Sequence, residues 1–313
     1  MPNLKNCYDE LSQIAGSDME PYSSVQLVEE YRQYWKPDNV KVILLAESHV
    51  FTTEEDQQIK FEVPLDGYPE SFSNFVYCLG LGEKELTKHP SSGTPQFWKM
   101  FYSCVNKVDS LDDFSAVLSK TPFPQRLQNK ISLLETMKKR GIWLVDASII
   151  ALYRSGGERY ENKTYKELVH CSWQNYTSQI ITESDPSYVI CIGKSVGDVV
   201  GDGLKELMQD NYSVFPAPNA HLSSDEHMAL FGDYYRICEK FRHKMPVDWD
   251  DLIKFIERIG NMEEPYIIEN TNGSSGKLRF HGGGGSIVTE EKIFKYDNDT
   301  DLSELQRDGW LIE

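Results

Sequence analysis

Apolar residues along this chain gather into four short runs without polar alternation, each ending in a cluster of polar side chains. They are residues 41–49 (KVILLAESH), 141–148 (GIWLVDAS), 188–194 (YVICIGK) and 212–221 (YSVFPAPNAH). Unbroken Val, Ile and Leu is the pattern of strands buried on both faces, as in a parallel sheet. Between the runs the spacing turns helical. Residues 25–35 place Val25, Leu27, Val28, Tyr31 and Trp35 largely on one face, and 126–139 repeats Leu127, Ile131, Leu134 and Met137 at helical spacing with Gly141 as its stop signal. Residues 72–79 and 95–104 are aromatic-rich helix candidates, 165–181 leads into the third run, 196–208 follows it, and 224–241 follows the fourth. Ser223 or Ser224, backed by Asp225 and Glu226, reads as a helix start. Strands alternating with helices favour parallel pairing. The expected fold is therefore α/β, a three-layer α/β/α sandwich around a central, mainly parallel four-stranded sheet.

Ligands of such sheets bind beyond the carboxyl ends of the strands. The polar run-ends thus predict that Glu47, Ser48, His49, Asp146, Ser148, Asn219 and His221 converge on one crevice. Residues 51–93, thick with Pro, Gly, Tyr and Phe, read outside 72–79 as irregular loops over those ends. After Met245 the pattern changes to a short helix at 249–259, glycine-rich connectors at 270–276 and 282–285, and strand-like pieces at 277–280 and 286–289, with Phe294, Trp310 and Leu311 as anchors. Two regions are expected, an α/β domain over 1–245 and a C-terminal appendage over 246–313.

Composition narrows the class. A chain of 313 residues with 40% hydrophobic content and a mean hydropathy of -0.49 suits a globular protein with a sizeable core. Its apolar runs fall far short of the roughly 20 residues that span a bilayer, so no membrane partner is expected. Six scattered cysteines without a CxxC pair, and a start with neither a basic nor an apolar segment, predict reduced thiols and a cytoplasmic location. The net charge is -17, and the appendage holds seven Lys and Arg against fifteen Asp and Glu, a net of -8. Such a field opposes nucleic-acid binding unless a local basic rim offsets it, and it makes the appendage a candidate surface for a protein partner. The basic stretches at 138–140 and 236–244 read as solvated helix ends.

Several motifs are excluded. Gly193, Lys194 and Ser195 follow a strand as in a phosphate-binding loop, but the glycine required five residues before Gly193 is Tyr188. No GxGxxG occurs. Glu47, His49, His221 and His227 lack the spacing of a metal-binding motif, so neither metal nor cofactor is expected.

The order and wording of the runs resemble the uracil-DNA glycosylase superfamily, whose first strand ends in GQDPYH or GEAPG, whose second reads much like GVLLLNTVLT, and whose last ends in HPSPLS. The corresponding segments here are Ala46, Glu47, Ser48 and His49; residues 141–150 (GIWLVDASII); and residues 218–223 (PNAHLS). Residues 93–102 (GTPQFWKMFY) are similar to a helix of that fold, and the likeness spans residues 41–242. It implies hydrolysis of a nucleobase N-glycosidic bond without a cofactor, on a nucleobase-containing substrate and possibly DNA. In that chemistry one polar group orients water near C1′ while another stabilises the departing base, and the target base is flipped from its stack.

By position the resemblance implies that Glu47, helped by His49, holds the water, that Asn219 or His221 stabilises the leaving base, and that Asp146 reads it. Ser48 and Ser148 join the substrate site, Phe51 or Phe61 stacks on the base, and Leu222 stands where the family has its leucine wedge. Three positions depart from the pattern. Ser48 stands where GQDPYH has Asp, Pro218 where HPSPLS has His, and Asp146 where an Asn would donate an amide hydrogen bond. An ionised carboxylate only accepts, which suits a base edge offering N–H groups. The alternative is a pocket protein without catalysis that binds a free base, nucleotide or protein partner. Plainer roles exist for each residue as well: Asp146 as a cap, Glu47 as an ion-pair member, His221 as a loop histidine and Leu222 as core.

Overall fold

The structure is a computed structural model that describes residues 2–88, 91, 93–242, 266–270, 275–281, 284–288, 293–297 and 310–311. The chain divides into two compact units, Met1–His243 and Lys244–Glu313. In chain order the first contains α1 (Leu4–Ala15), α2 (Tyr22–Tyr34), β1 (Val42–Ala46), the single turns α3 (Glu54–Gln57) and α4 (Lys84–Thr87), α5 (Pro95–Val105) and α6 (Phe123–Lys139). There follow β2 (Ile142–Asp146), α7 (Asn162–Ser172), α8 (Ser178–Ser184), β3 (Tyr188–Ile192), α9 (Lys194–Met208), β4 (Tyr212–Phe215) and α10 (Ser224–Phe241).

The four apolar runs are the four strands, all parallel, in the order β2-β1-β3-β4. Every residue of β1 and β2 is buried, as their unbroken apolar character requires, whereas the edge strand β4 is only partly covered. Helices form the outer layers of the α/β sandwich. On one side α5 packs against α6 and α10; elsewhere α7 packs against α1 and α9, and α9 lies on β3 and β4. Gly141 stops α6 because its φ of 78° is left-handed and a Cβ there would meet the Asn39 carbonyl at 2.6 Å. Ser223 proves to be the cap of α10: its Oγ accepts from the Glu226 N–H, and the Glu226 carboxylate accepts from the Ser223 N–H at 2.8 Å.

One reading of the sequence is corrected. Residues 72–79 form no helix. Phe72, Phe75, Tyr77 and Leu79 are all buried, and side chains satisfy the backbone, as where the Leu79 N–H donates to the Tyr68 hydroxyl at 2.6 Å. The helix expected at 165–181 is present, running without interruption through α7, a π turn at Trp173–Thr177, and α8.

The second unit carries an antiparallel sheet of β5 (Tyr266–Asn270), β6 (Ser275–His281), β7 (Gly284–Val288), β8 (Ile293–Asp297) and β9 (Trp310–Leu311) in the order β8-β7-β6-β5-β9. The glycine run separates β6 from β7, which pair as a hairpin. Phe294 lies in β8 and Trp310 in β9, while the helix expected at 249–259 lies outside the described residues. Among the described residues no helix is long and apolar enough to cross a membrane.

Candidate functional site

In the order β2-β1-β3-β4 the chain leaves β1 toward one side and returns through β3 on the other, so the tips of β1 and β3 flank the switch point where open α/β sheets bind ligands. Pairing continues past the ends of β1 and β2: Ala147 N–H donates to the Ala46 carbonyl at 2.7 Å and Ser148 N–H to the Glu47 carbonyl at 3.1 Å. Beyond these tips lies a cleft of about 550 Å³. Its walls are Glu47–Val50 after β1, Ile192 at the end of β3, Ala217–Asn219 after β4, the start of α5 from Gly93 to Phe97, and Tyr153 with Gly157. Both the size and the mixture of apolar walls with a few polar groups are those of a small-molecule site.

Glu47 is the acidic side chain in this lining, with 29% of its side chain exposed. Its Oε1 accepts from Arg159 Nη2 at 2.8 Å, and the Arg159 guanidinium lies 3.9 Å from the Tyr165 ring centroid. Glu47 is thus both an ion-pair member and a carboxylate presented to the cleft. Ser48 Oγ accepts the Leu152 N–H at 3.2 Å, which ties the loop after β1 to the loop after β2. Asn219 is exposed on the opposite wall. At the start of α5 the Thr94 hydroxyl is buried without a partner among the described residues, beside the cleft that Thr94 lines.

His49 also borders the cleft, but its ring is spoken for. Nε2 donates to Glu20 Oε1 at 2.7 Å, Nδ1 faces Asp146 Oδ2 at 3.4 Å, and Asp146 Oδ2 accepts from Arg32 Nη2 at 2.9 Å. Arg32 in turn pairs with Glu29. Glu20, Arg32, His49 and Asp146 are all buried. Burial alone would push the imidazole pKa down, but the charges of Glu20 and Asp146, with their hydrogen bonds, outweigh it and raise His49 to about 9. At neutral pH His49 is an imidazolium with both N–H groups engaged. It orders the loop that presents Glu47 and has no proton free to exchange.

The expected convergence is therefore partial. Glu47, Ser48, His49 and Asn219 meet at the cleft; Asp146, Ser148, Phe51, Phe61, His221 and Leu222 are not in its lining. Asp146 sits beneath, consumed by Arg32 and His49, because a carboxylate at a buried strand end must find cations. Ser148 is buried and its Oγ turns back to the Ile150 carbonyl at 2.9 Å. Phe61 is enclosed against Tyr68, the Phe51 carbonyl accepts from Asn74, and neither ring joins the cleft wall. His221 is exposed, and Leu222 packs partly buried against the core. The aromatic walls are instead Phe97 and Tyr153. Phe97 belongs to a stretch already legible as a helix, whereas Glu20 and Arg32 carry no local signal for the site, since Glu20 meets His49 and Arg32 meets Asp146 across long stretches of sequence. No family model, curated protein or solved structure matches this chain.

Proposed function

We propose that the cleft is the active site of a nucleobase N-glycosidase, in which Glu47 holds the attacking water. The observation that carries this reading is a carboxylate at the tip of a central parallel strand, fixed at one oxygen by Arg159 and open to a cleft of about 550 Å³. Water adds to C1′ as the glycosidic bond breaks, the bonding pair departs with the base, and Glu47 accepts the water proton. Phe97 and Tyr153 offer rings to a flat base. The Asn219 amide and the unpartnered Thr94 hydroxyl offer hydrogen bonds to its developing negative charge. Asp146, closed off by Arg32 and His49, supports the loop and takes no part in reading the base.

The test is release of free base from single- and double-stranded oligonucleotides and from free nucleosides carrying uracil, hypoxanthine or xanthine, at low salt. Wild type should release at least one base, and Glu47→Gln should lower that rate about 100-fold or more, the lower end of general-base contributions. Full activity in Glu47→Gln sinks the assignment.

A second reading is a pocket that binds a free base without cleaving anything. It is favoured by the absence of Lys and Arg from the cleft lining among the described residues, together with the net charge of -17, which leaves phosphates unattended there. Saturable binding of free uracil, with no release from any substrate in the panel, would select it.

A further inference from the structure

One carboxylate touches two of the loops that wall the cleft, those after β1 and β2, although it belongs to neither. Glu20 lies between α1 and α2 and is buried. Its Oε1 accepts from His49 Nε2 and from the Ala151 N–H, each at 2.7 Å, and its Oε2 from the Thr52 N–H at 3.5 Å. His49 and Thr52 belong to the loop after β1 that presents Glu47; Ala151 leads into Tyr153 in the loop after β2. Neighbouring bonds reinforce the clamp, since Ser24 Oγ donates to the Thr52 carbonyl at 2.6 Å and the Tyr8 hydroxyl to the Glu20 carbonyl at 2.9 Å.

We propose that Glu20 is the positioning residue of the cleft, setting the separation of Glu47 and Tyr153 by fastening the two loops to one buried carboxylate through His49 and the Ala151 amide. A neutral side chain could fill the same space. The charge matters because His49 is wedged between Glu20 and Asp146, and an imidazolium is held by two carboxylates more firmly than an imidazole. The other charged and titratable groups around this pair are Arg32 and Glu29 of α2, Tyr77 and Tyr176 near Arg32, and Tyr8 and Tyr160 near Glu20. The phenols do not ionise in the working range, because burial raises Tyr77 and Tyr176 foremost, and Tyr8 and Tyr160 as well. Within neutral to mildly alkaline pH the group that changes charge is therefore His49, whose raised value of about 9 supports the clamp through that range.

The effect on base release rests on the glycosidase reading, but the effect on His49 does not. The experiment compares the full-length wild type with Glu20→Gln and Glu20→Asp. Nitrogen-detected NMR follows the His49 ring across pH, and kinetics of uracil release from a single-stranded oligonucleotide are corrected for the folded fraction at each pH. In wild type His49 should remain protonated beyond pH 8, and in Glu20→Gln it should titrate about two pH units lower. The corrected kcat of Glu20→Gln should fall about 10-fold or more at pH 8 and less than 3-fold at pH 6, with Glu20→Asp partly restoring it. A wild-type His49 that titrates near its ordinary value, or a Glu20→Gln whose corrected pH profile matches wild type, overturns the role of Glu20. Should wild type release no uracil, the kinetics fall away with the glycosidase reading. The His49 titration, together with the affinity for free uracil at pH 6 and 8, then decides the role of Glu20 by the same pH contrast.

Discussion

Two clusters of buried charge hold this molecule together, and they differ in what surrounds them. Beneath the cleft, Arg32 joins Asp146 and Glu29 while His49 joins Glu20 and Asp146; the Arg32 and Asp146 side chains are only 4% and 2% exposed. In the second cluster Glu83, from the loop before α4, accepts three bonds from Arg126 and one from Lys130, both on α6, at 2.6–3.2 Å. The Lys130 ammonium also lies 4.5 Å from the Trp98 ring centroid, which draws α5 into the arrangement. The second cluster keeps a route to water: the Arg126 side chain is 11% exposed and has the surface carboxylate of Glu85 at 3.9 Å as a reserve partner. In the first, Glu29 reaches the surface at 14% exposed, but Glu20, His49 and Asp146 are at most 2% exposed and have no exposed reserve partner among the described residues. Burial without an exit raises the cost of breaking an ion pair, because the survivor cannot be solvated where it stands.

The largest expected effect tests that difference directly. Arg32→Met removes the guanidinium shared by Asp146 and Glu29, leaving buried Asp146 with His49 alone, and should cost about 3–5 kcal/mol in urea unfolding, the range for a buried pair broken from one side. Glu83→Gln leaves two cations, but Arg126 swings toward Glu85, so its cost should be nearer 1–2 kcal/mol. Equal losses in the two variants would mean that access to water is not what separates the clusters.

A smaller effect separates them by sign along the pH axis. The folded-state pKa of His49 is raised to about 9 against an ordinary 6.5. Its contribution, on the order of 3 kcal/mol at full protonation, is complete below about pH 6.5 and is lost as pH rises toward 9. Glu83 behaves oppositely. Burial acts to raise its carboxyl, but the bonds from Arg126 and the charge of Lys130 outweigh this and hold it below the usual range. Its contribution is present above the unfolded value near 4.3 and is lost as pH falls through the depressed one. Unfolding free energy measured from about pH 2 to 10 should fall at both ends, with His49→Gln flattening only the alkaline arm and Glu83→Gln only the acid arm. A single variant that flattens both arms would refute the assignment.

These clusters also mark where sequence reading stops. The strands were legible because burial on both faces leaves an unbroken apolar run, as in VILLA of β1 and YVICI of β3, and α10 because Ser223 and Glu226 form a local capping box. α1 escaped notice because Cys7 and Leu11 are its only buried side chains, too narrow a stripe to stand out as a period. Residues 72–79 misled for the opposite reason: most of them are buried aromatic or aliphatic side chains, and aromatic burial mimics helical spacing when the backbone is satisfied by side chains such as Tyr68. At the cleft, the residues adjacent to strand ends were legible as a group, since topology alone brings Glu47, Ser48, His49 and Asn219 together. Whether a polar group at a strand tip faces a ligand or a buried cation depends on partners more than 100 residues away, as Asp146 does on Arg32, and no local pattern carries that.

The smallest expected effect lies on the cleft rim, one residue from the buried network. Val50 follows His49 directly, yet 53% of it is exposed to solvent while lining the cleft. Because so little of the side chain is buried in the free protein, Val50→Ala should change unfolding free energy by less than about 0.5 kcal/mol, as surface substitutions do. Its apolar surface is removed from water only when a ligand covers it. At roughly 25 cal/mol per Å², covering the few tens of Å² that distinguish Val from Ala is worth under about 1 kcal/mol, a two- to fivefold loss of affinity for free uracil by calorimetry. A loss of stability comparable to that of Arg32→Met would mean that the loop after β1 is packed as one body with the charges beneath it. An unchanged affinity would place the bound base against Phe97 and Tyr153 on the far walls, with Val50 left in water.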